Sequence, residues 1–310
     1  MEEMTKTETK RRPGRPPSEA KKNSIANKGL VEKSEDDKNR IELVLMFPSV
    51  FKKLFALYKA TDVTDIIMEF ETNYVNFYAV VRGEEGMISN TRLDCTNVYL
   101  YYCAKPTRIM MGRSNSEKII NRIDTKFYDS MKIAIKESSN QIESMEITLN
   151  NPNIGCVSHH TLGVTSLVDI EKIGDDKWDE RSYSFGFTLP YREFKKYMSD
   201  IQSIGPADGK LQIQRVKDKP IHFIYKTEGH NIIVDETFNN NEIIKAKTQS
   251  TKNTVFGNTV CVGNLKRLSV TQVSEAIDMY VDVKLPIMCI FDMGDSMITK
   301  ILVPIVNHTQ

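Results

Sequence analysis

A strand, a proline and a basic amphipathic helix occur in that order twice in this chain, and the repeat constrains its fold more than any other feature. In the first copy, residues 40–47 (RIELVLMF) read as a strand and Pro48 opens a helix. Val50, Phe51, Leu54, Phe55 and Tyr58 then recur at helical spacing, with Lys52, Lys53 and Lys59 on the opposite face. In the second copy, Tyr183, Phe185, Phe187 and Leu189 alternate with small or polar residues, the period of a half-buried strand. Pro190 follows, and Tyr191, Phe194, Tyr197, Met198 and Ile201 form an apolar stripe opposite Arg192, Lys195, Lys196 and Ser199. The run Phe51-Lys52-Lys53-Leu54 parallels Phe194-Lys195-Lys196-Tyr197. One such helix would be an ordinary solvated surface helix. Two copies, on either side of an acidic, Gly-broken connector (Asp175, Asp176, Asp179, Glu180), point to an internal duplication.

The rest of the chain fits two α+β units. Residues 65–70, 74–81 and 98–103 are rich in β-branched and aromatic residues and read as strands, with a turn at Gly83–Gly86. A second helix starts near Ser114 and Glu117, which have capping-box spacing, and turns Ile119, Ile120 and Ile123 inward. Arg113, Lys118 and Arg122 lie on or beside its polar face. Strand-like runs at 127–136, 144–149 and 154–167 follow, separated by meander-type turns. After the second basic helix come strands at 211–216, 221–225 and 231–234, and then the run 242–247. A fourth helix is expected over about 264–275, with Asn264 as cap and Leu265, Leu268 and Val273 inward. Lys266 and Arg267 fall in its first turn, where the helix dipole disfavours cations unless an anion is near. The last strands run from Met279 to Val306, with Pro286 expected at a bulge or edge because it removes a ladder donor.

Several segments resemble the sliding clamps of the proliferating-cell nuclear antigen type. Asp169-Ile-Glu-Lys-Ile-Gly resembles that family's interdomain connector, and Tyr183 through Phe194 resembles the opening of its second domain. Phe291-Asp-Met-Gly and Ile301-Leu-Val-Pro304-Ile resemble its last two strands, so the likeness runs in order over about residues 40–306. A net charge of only +1 argues at first against a nucleic-acid partner. Distribution matters more than the sum, and the cations gather on the helices.

Residues 1–39 are nearly devoid of aromatics and are expected to be a disordered basic tail. Its core, Arg12-Pro-Gly-Arg-Pro-Pro17, resembles an AT-hook. Prolines extend the backbone, glycine allows close approach, and Arg12 and Arg15 suit a narrow, negative A·T minor groove. A nuclear-import signal read by charge alone is the other reading, and both stand. Virus-encoded clamp-like proteins of large cytoplasmic DNA viruses resemble this arrangement of tail and clamp body, which makes a viral source the leading expectation. The N-terminus is too polar for a secretory signal, and no apolar run approaches the ~18 residues of a membrane span. Five scattered cysteines without a Cys-x-x-Cys pair read as reduced intracellular thiols. The expected location is therefore inside the cell, in the nucleus or at a cytoplasmic site of viral replication.

Signals for catalysis are weak. Gly205-Pro-Ala-Asp-Gly209-Lys210 is one residue short of a phosphate loop, and Leu211 stands where Ser or Thr would hold magnesium. His159 and His160 are adjacent, so on a strand they face opposite ways, and neither has a partner at metal-ligand spacing. Asp292 and Asp295 flank Met293-Gly294 as a turn rather than as a carboxylate pair. The chain is expected not to be an enzyme and to need no metal, cofactor or small-molecule substrate.

The resemblance implies a definite assembly. Clamp domain 1 (40–165), a connector (166–181) and clamp domain 2 (182–310) would follow one another, each domain placing an antiparallel sheet outside and two basic helices inside. Three chains would close as a homotrimeric ring around double-stranded DNA and tether DNA polymerase and other clamp-binding replication or repair proteins. Lys52, Lys53, Lys59, Arg113, Lys118, Arg122, Arg192, Lys195, Lys196, Lys266 and Arg267 would line the hole. Backbone phosphate contacts of that kind permit sliding. Subunits would meet through 159–166, with His159, Leu162 and Val164, against 242–247 of the neighbour, with Ile243, Ile244 and Ala246. Partners would enter a pocket at Ile173, Val303, Pro304 and Ile305. Asp175 stands there in place of an apolar family residue and would make the pocket shallower or shifted. The alternative is a clamp-fold transcription or chromatin factor that binds A·T-rich DNA through its tail.

Overall fold

The structure, a computed structural model, describes residues 39–46, 48–81, 86–123, 127–136, 142–167, 178–205, 209–215, 221–227, 233–238, 245–248 and 256–306. The first half contains β1 (Asn39–Leu45), α1 (Ser49–Ala60), β2 (Asp65–Phe70), β3 (Tyr74–Val80), β4 (Ile88–Asp94), β5 (Leu100–Cys103) and β6 (Thr107–Gly112). It continues with α2 (Arg113–Ile120), β7 (Ser130–Lys136), β8 (Ser144–Asn151), β9 (Cys156–Gly163) and β10 (Thr165–Ser166). The second half opens with β11 (Phe185–Pro190), α3 (Tyr191–Ile204), β12 (Lys210–Arg215), β13 (Ile221–Lys226) and β14 (Ile233–Phe238). Then come β15 (Lys245–Thr248), β16 (Phe256–Cys261), α4 (Val262–Ser269), β17 (Ala276–Val281), β18 (Ile287–Gly294) and β19 (Met297–Val303). The fold is α+β, and every strand pairing among the described residues is antiparallel.

The two prolines act as the sequence predicts. Pro48 and Pro190 hold the N-cap positions of α1 and α3, where a missing N–H costs nothing. In α1, Val50, Phe51, Leu54, Phe55, Leu57 and Tyr58 are buried. Removing each such large apolar side chain from water contributes about 1.5–3 kcal/mol. The helix ends where Thr61 turns its hydroxyl back to the Leu57 carbonyl at 2.9 Å and Asp62 takes a left-handed conformation, φ 60°. In α3, Tyr191, Phe194, Tyr197, Met198 and Ile201 are buried in the same way. Among the described residues the four helices form one layer: α1 meets α2, α3 meets α4, and α1 also touches α4 and β18.

Strand order repeats between the halves. The first half pairs β5-β1-β7-β8-β9, and the second pairs β15-β11-β17-β18-β19. The remaining strands run β10-β6-β2-β3-β4 in the first half and β16-β12-β13-β14 in the second. An isolated bridge of Ile305 to Val260 on β16 occupies the place that β10 takes beside β6. The expected antiparallel sheet layers are present, and they are not confined to one half each. Each half supplies two sheets, and one strand of each half crosses to the other. Strand β4 pairs with β19 from Met297↔Leu93 to Leu302↔Ile88, which fuses two five-strand sets into one ten-stranded sheet. At the centre of this seam the buried hydroxyls of Thr91 and Thr299 lie 2.9 Å apart, and Tyr58 from α1 reaches Thr91 at 3.2 Å. Burial pushes the Tyr58 phenol well above its ordinary pKa, so it stays a neutral hydrogen-bonding group.

Other boundaries shift for local reasons. Helix α2 begins at Arg113 behind Gly112, with no side-chain cap, because Glu117 is drawn to cations instead. Helix α4 starts earlier than expected, and Asn264 is buried inside it rather than capping it. Pro286 lies between β17 and β18, outside both ladders, so no bulge is needed to accommodate it. The glycines of 205–209 serve packing: an added Cβ would sit 2.3 Å from the Tyr225 hydroxyl at Gly205 and 2.4 Å from its ring at Gly209.

Candidate functional site

The helix layer gathers the cations singled out in the sequence on its outward face, but it does not leave them equally available. On α1, the Lys52 ammonium donates to the Ile123 carbonyl at 3.1 Å and Lys53 donates to the Met293 carbonyl at 3.2 Å. Lys59 pairs with Glu117 at 2.7 Å, and Arg113 pairs with the same carboxylate at 2.5 Å. The Lys59 hydrogen bond holds the Glu117 carboxyl below its ordinary pKa, aided by Asn121 and the charge of Arg113. Arg267 on α4 lies 3.9 Å from Asp62 at the end of α1, a loose contact across the two halves. Lys118, Arg122, Arg192, Lys195 and Lys196 are exposed, and Lys266 is half-buried. None of these six has an acidic partner among the described residues. The expected set of eleven therefore divides into these six, two lysines held by carbonyls and three residues beside a carboxylate. Arg12 and Arg15 lie outside the described residues.

The residues expected at a subunit contact divide as well. His159 is exposed on β9, with Nδ1 3.1 Å from the Thr148 hydroxyl, whereas Leu162 is buried in its own chain's core. Val164 is half-buried between β9 and β10. Ala246 lies on β15, which pairs with β11 of the same chain through Phe187↔Ala246. Ile243 and Ile244 lie outside the described residues. The strands that end their sheets as β4 and β19 would without each other are β14 and β9.

A second feature lies on the outer face of β17–β19. Trp178, Tyr183, Tyr280, Met288, Ile290 and Leu302 form an apolar cluster, with Ile88 and Leu285 packed against it. Lys300 pins the incoming chain by donating to the Trp178 carbonyl at 2.9 Å and to Glu180 at 3.1 Å. The Tyr280 hydroxyl donates to the other Glu180 oxygen at 3.0 Å. Beside this cluster opens a cavity of about 420 Å³ lined by Gly86, Ile88, Ser182, Tyr183, Leu285, Pro286, Leu302 and Pro304. Of the pocket residues expected from sequence, Pro304 lines it. Val303 points into the main core, and Ile305 packs against that core beside Val260. Ile173 and Asp175 lie outside the described residues. Sequence reasoning missed Trp178, although an indole in an acidic connector is costly unless it finds apolar cover.

Among the described residues no group of three or more His, Cys, Asp or Glu side chains is placed to hold a metal ion. No helix among them is long and apolar enough to cross a membrane.

No family model matches the chain. It is similar to an uncharacterized protein of African swine fever virus, found in several isolates. The protein of the Tick/South Africa/Pretoriuskop isolate is 24% identical over 274 residues, covering 86% of this chain and 88% of the relative. That of the Tick/Malawi/Lil 20-1 isolate is 23% identical over 276 residues, with the same coverage.

Proposed function

We propose that this chain is a DNA sliding clamp: copies join head to tail into a ring around double-stranded DNA and tether DNA polymerase and other replication or repair factors. One observation carries the reading. The strand order of the first half is repeated in the second, the halves are zipped by β19 against β4, and their counterparts β9 and β14 remain end strands among the described residues. Joining β9 of one copy to β14 of the next would repeat the internal seam between molecules. Such a heterologous contact satisfies its edges only by closing a ring or growing a filament. The contact expected at 242–247 moves accordingly to β14, since β15 is already paired with β11.

Two further features fit the reading. Six cations without a described acidic partner, on one helix layer, suit phosphates approached without sequence preference. The 420 Å³ cavity beside Tyr183 and Leu302 offers an apolar anchor point on the face away from the helices. A ring of three copies would have a mass about three times 35.5 kDa.

Sedimentation of the full chain tests this directly. Neighbouring strand residues alternate between bonding β8 and facing outward, so Ser158→Pro and Thr161→Pro form a complementary pair. One of the two removes an outward donor while keeping the β8 ladder, and that variant should be a folded monomer that no longer supports processive synthesis. A chain that is monomeric without substitution and adds nothing to polymerase processivity would sink the reading. Oligonucleotide binding confined to residues 1–39 would then favour the tail-borne transcription or chromatin role.

A further inference from the structure

The apolar cluster on the outer face of β17–β19 already has an occupant, and it belongs to the chain itself. Trp178 is the only tryptophan in the sequence and is 5% exposed, although its neighbours in sequence are Lys177 and Asp179. Strand parity builds the surface that receives it. Tyr280 faces Met288, Met288 faces Leu302 and Ile290 faces Lys300, so these side chains share one side of the sheet. Tyr183 and Leu302 belong to the cluster and also line the 420 Å³ cavity, as do Ile88 and Leu285, which pack against the cluster. The indole's socket and the cavity therefore share walls, and the short segment Trp178–Ser182 borders both.

Opposing effects act on that segment. Lys300 donates to the Trp178 carbonyl at 2.9 Å and to Glu180 at 3.1 Å, and the Tyr280 hydroxyl donates to the other Glu180 oxygen at 3.0 Å. Burial, then the bond to Glu180, raise the Tyr280 phenol above its ordinary pKa, so the hydroxyl stays a donor. Asp179 caps the 3₁₀ turn Glu180–Ser182 by accepting from the Arg181 N–H at 3.0 Å. Against these stands the indole N–H, which is buried with no acceptor among the described residues and so has lost water without compensation. Lys300 and Glu180 are 27% and 42% exposed, and water screens their attraction. The segment is thus held chiefly by the apolar burial of a ring that carries an unpaired donor in with it.

We propose that Trp178–Glu180 is a displaceable self-ligand that regulates access to this face, an inference that rests on the tethering role given to the cavity above. A partner segment with an aromatic side chain two residues before a carboxylate takes the ring's socket and the place of Glu180 on Lys300. The spacing is that of Trp178 and Glu180 themselves. Phenylalanine in the ring position brings no N–H to bury. A competitor without the carboxylate leaves the Lys300 ammonium uncompensated beside apolar surface and displaces the strap poorly.

The probe is a labelled synthetic peptide of residues 177–184 carrying Trp178→Phe, read by fluorescence polarisation against the full chain. A strap on the same chain competes at an effective concentration of about the millimolar range. The Trp178→Ala chain should therefore bind the peptide at least tenfold tighter than the unsubstituted chain. Glu180→Gln in the chain, which loosens the strap and leaves the apolar core intact, should also tighten binding, and it decides the matter if Trp178→Ala does not fold. Glu180→Gln in the peptide should weaken binding. Saturating unlabelled peptide should move the emission of the single tryptophan of the unsubstituted chain to longer wavelength as the indole enters water. Equal affinities of the three folded chains, or binding by none of them, overturn the self-ligand. Mass and processivity report separately on the ring. A chain that passes the peptide test but stays monomeric and adds nothing to processivity keeps the displaceable strap and loses the clamp. A ring that fails the peptide test keeps the clamp and loses the strap.

Discussion

Helices α1 and α3 come from the same sequence pattern and carry the same pair of lysines, yet they hold those lysines differently. Lys52 and Lys53 on α1 are tied to the carbonyls of Ile123 and Met293, and Met293 belongs to the other half of the chain. Lys195 and Lys196 on α3 are exposed and meet no acid among the described residues. The difference lies in position. Helix α1 sits at the junction of the halves, against α2, α4 and β18, whereas α3 packs on α4 and on its own sheet. A repeated motif can thus be used once as internal strapping and once as an open surface. Counting charges in the sequence treats the two alike.

The largest expected effect separates them on DNA. Lys195→Glu with Lys196→Glu should weaken association tenfold or more at low salt and flatten the salt dependence by about 0.9 for each phosphate no longer neutralised. Subunit mass should not change. The same reversal at Lys52 and Lys53 should cost less on DNA and more in stability, and equal losses from both pairs would erase the contrast. A second test addresses the seam that α1 braces. Thr91→Val leaves the buried Thr299 and Tyr58 hydroxyls short of a partner and should cost about 1–3 kcal/mol by denaturant unfolding. Replacing Thr91 and Thr299 together should cost less than the two single changes summed.

Smaller effects sharpen the comparison further. Lys53→Met forfeits one hydrogen bond to Met293 and should lower stability by about 0.5–1.5 kcal/mol. Lys196→Met, its counterpart, should stay within about 0.5 kcal/mol. Glu117→Gln releases Lys59 and Arg113, so DNA affinity should rise modestly. Because the native carboxyl titrates below its ordinary range, its contribution to stability is present above that range and lost as pH falls through the native value. Thermal unfolding of the two proteins should therefore converge in acid, and a gap that persists there would mean Glu117 acts through packing.

Much of the α+β character is legible in the sequence, and it is legible where burial follows a simple period. The stripes Phe51–Tyr58 and Tyr191–Ile201 mark two helices because one face meets the core along its whole length. Strand β4 is hidden for the opposite reason. Its inward positions include Ser89 and Thr91, polar residues that are nonetheless buried, with Tyr58 of α1 and Thr299 of β19 at the Thr91 hydroxyl. A strand whose inward positions are largely polar has no local hydrophobic alternation, although β3 beside it in sequence pairs with it throughout. The outer cavity is partly legible: Pro304 can be identified, but Trp178, Glu180 and Lys300 are bound together by contacts that no spacing announces. The cations are all visible, whereas their pairing with Glu117 and Asp62 depends on which helices the fold brings side by side.

The pairing of β4 with β19 also imposes an order on synthesis. Strand β4 leaves the ribosome early, and the strand that completes it comes last among the regular elements. At ~5–20 residues per second, the intervening stretch of about two hundred residues takes on the order of 10–40 seconds to translate. Throughout that interval the first half presents an open sheet edge with no mate on its own chain. That edge could recruit β9 or β14 of a neighbouring nascent chain, so crowded polysomes would be the setting in which this protein is most prone to mispairing, and a chaperone that shields strand edges would find its target there.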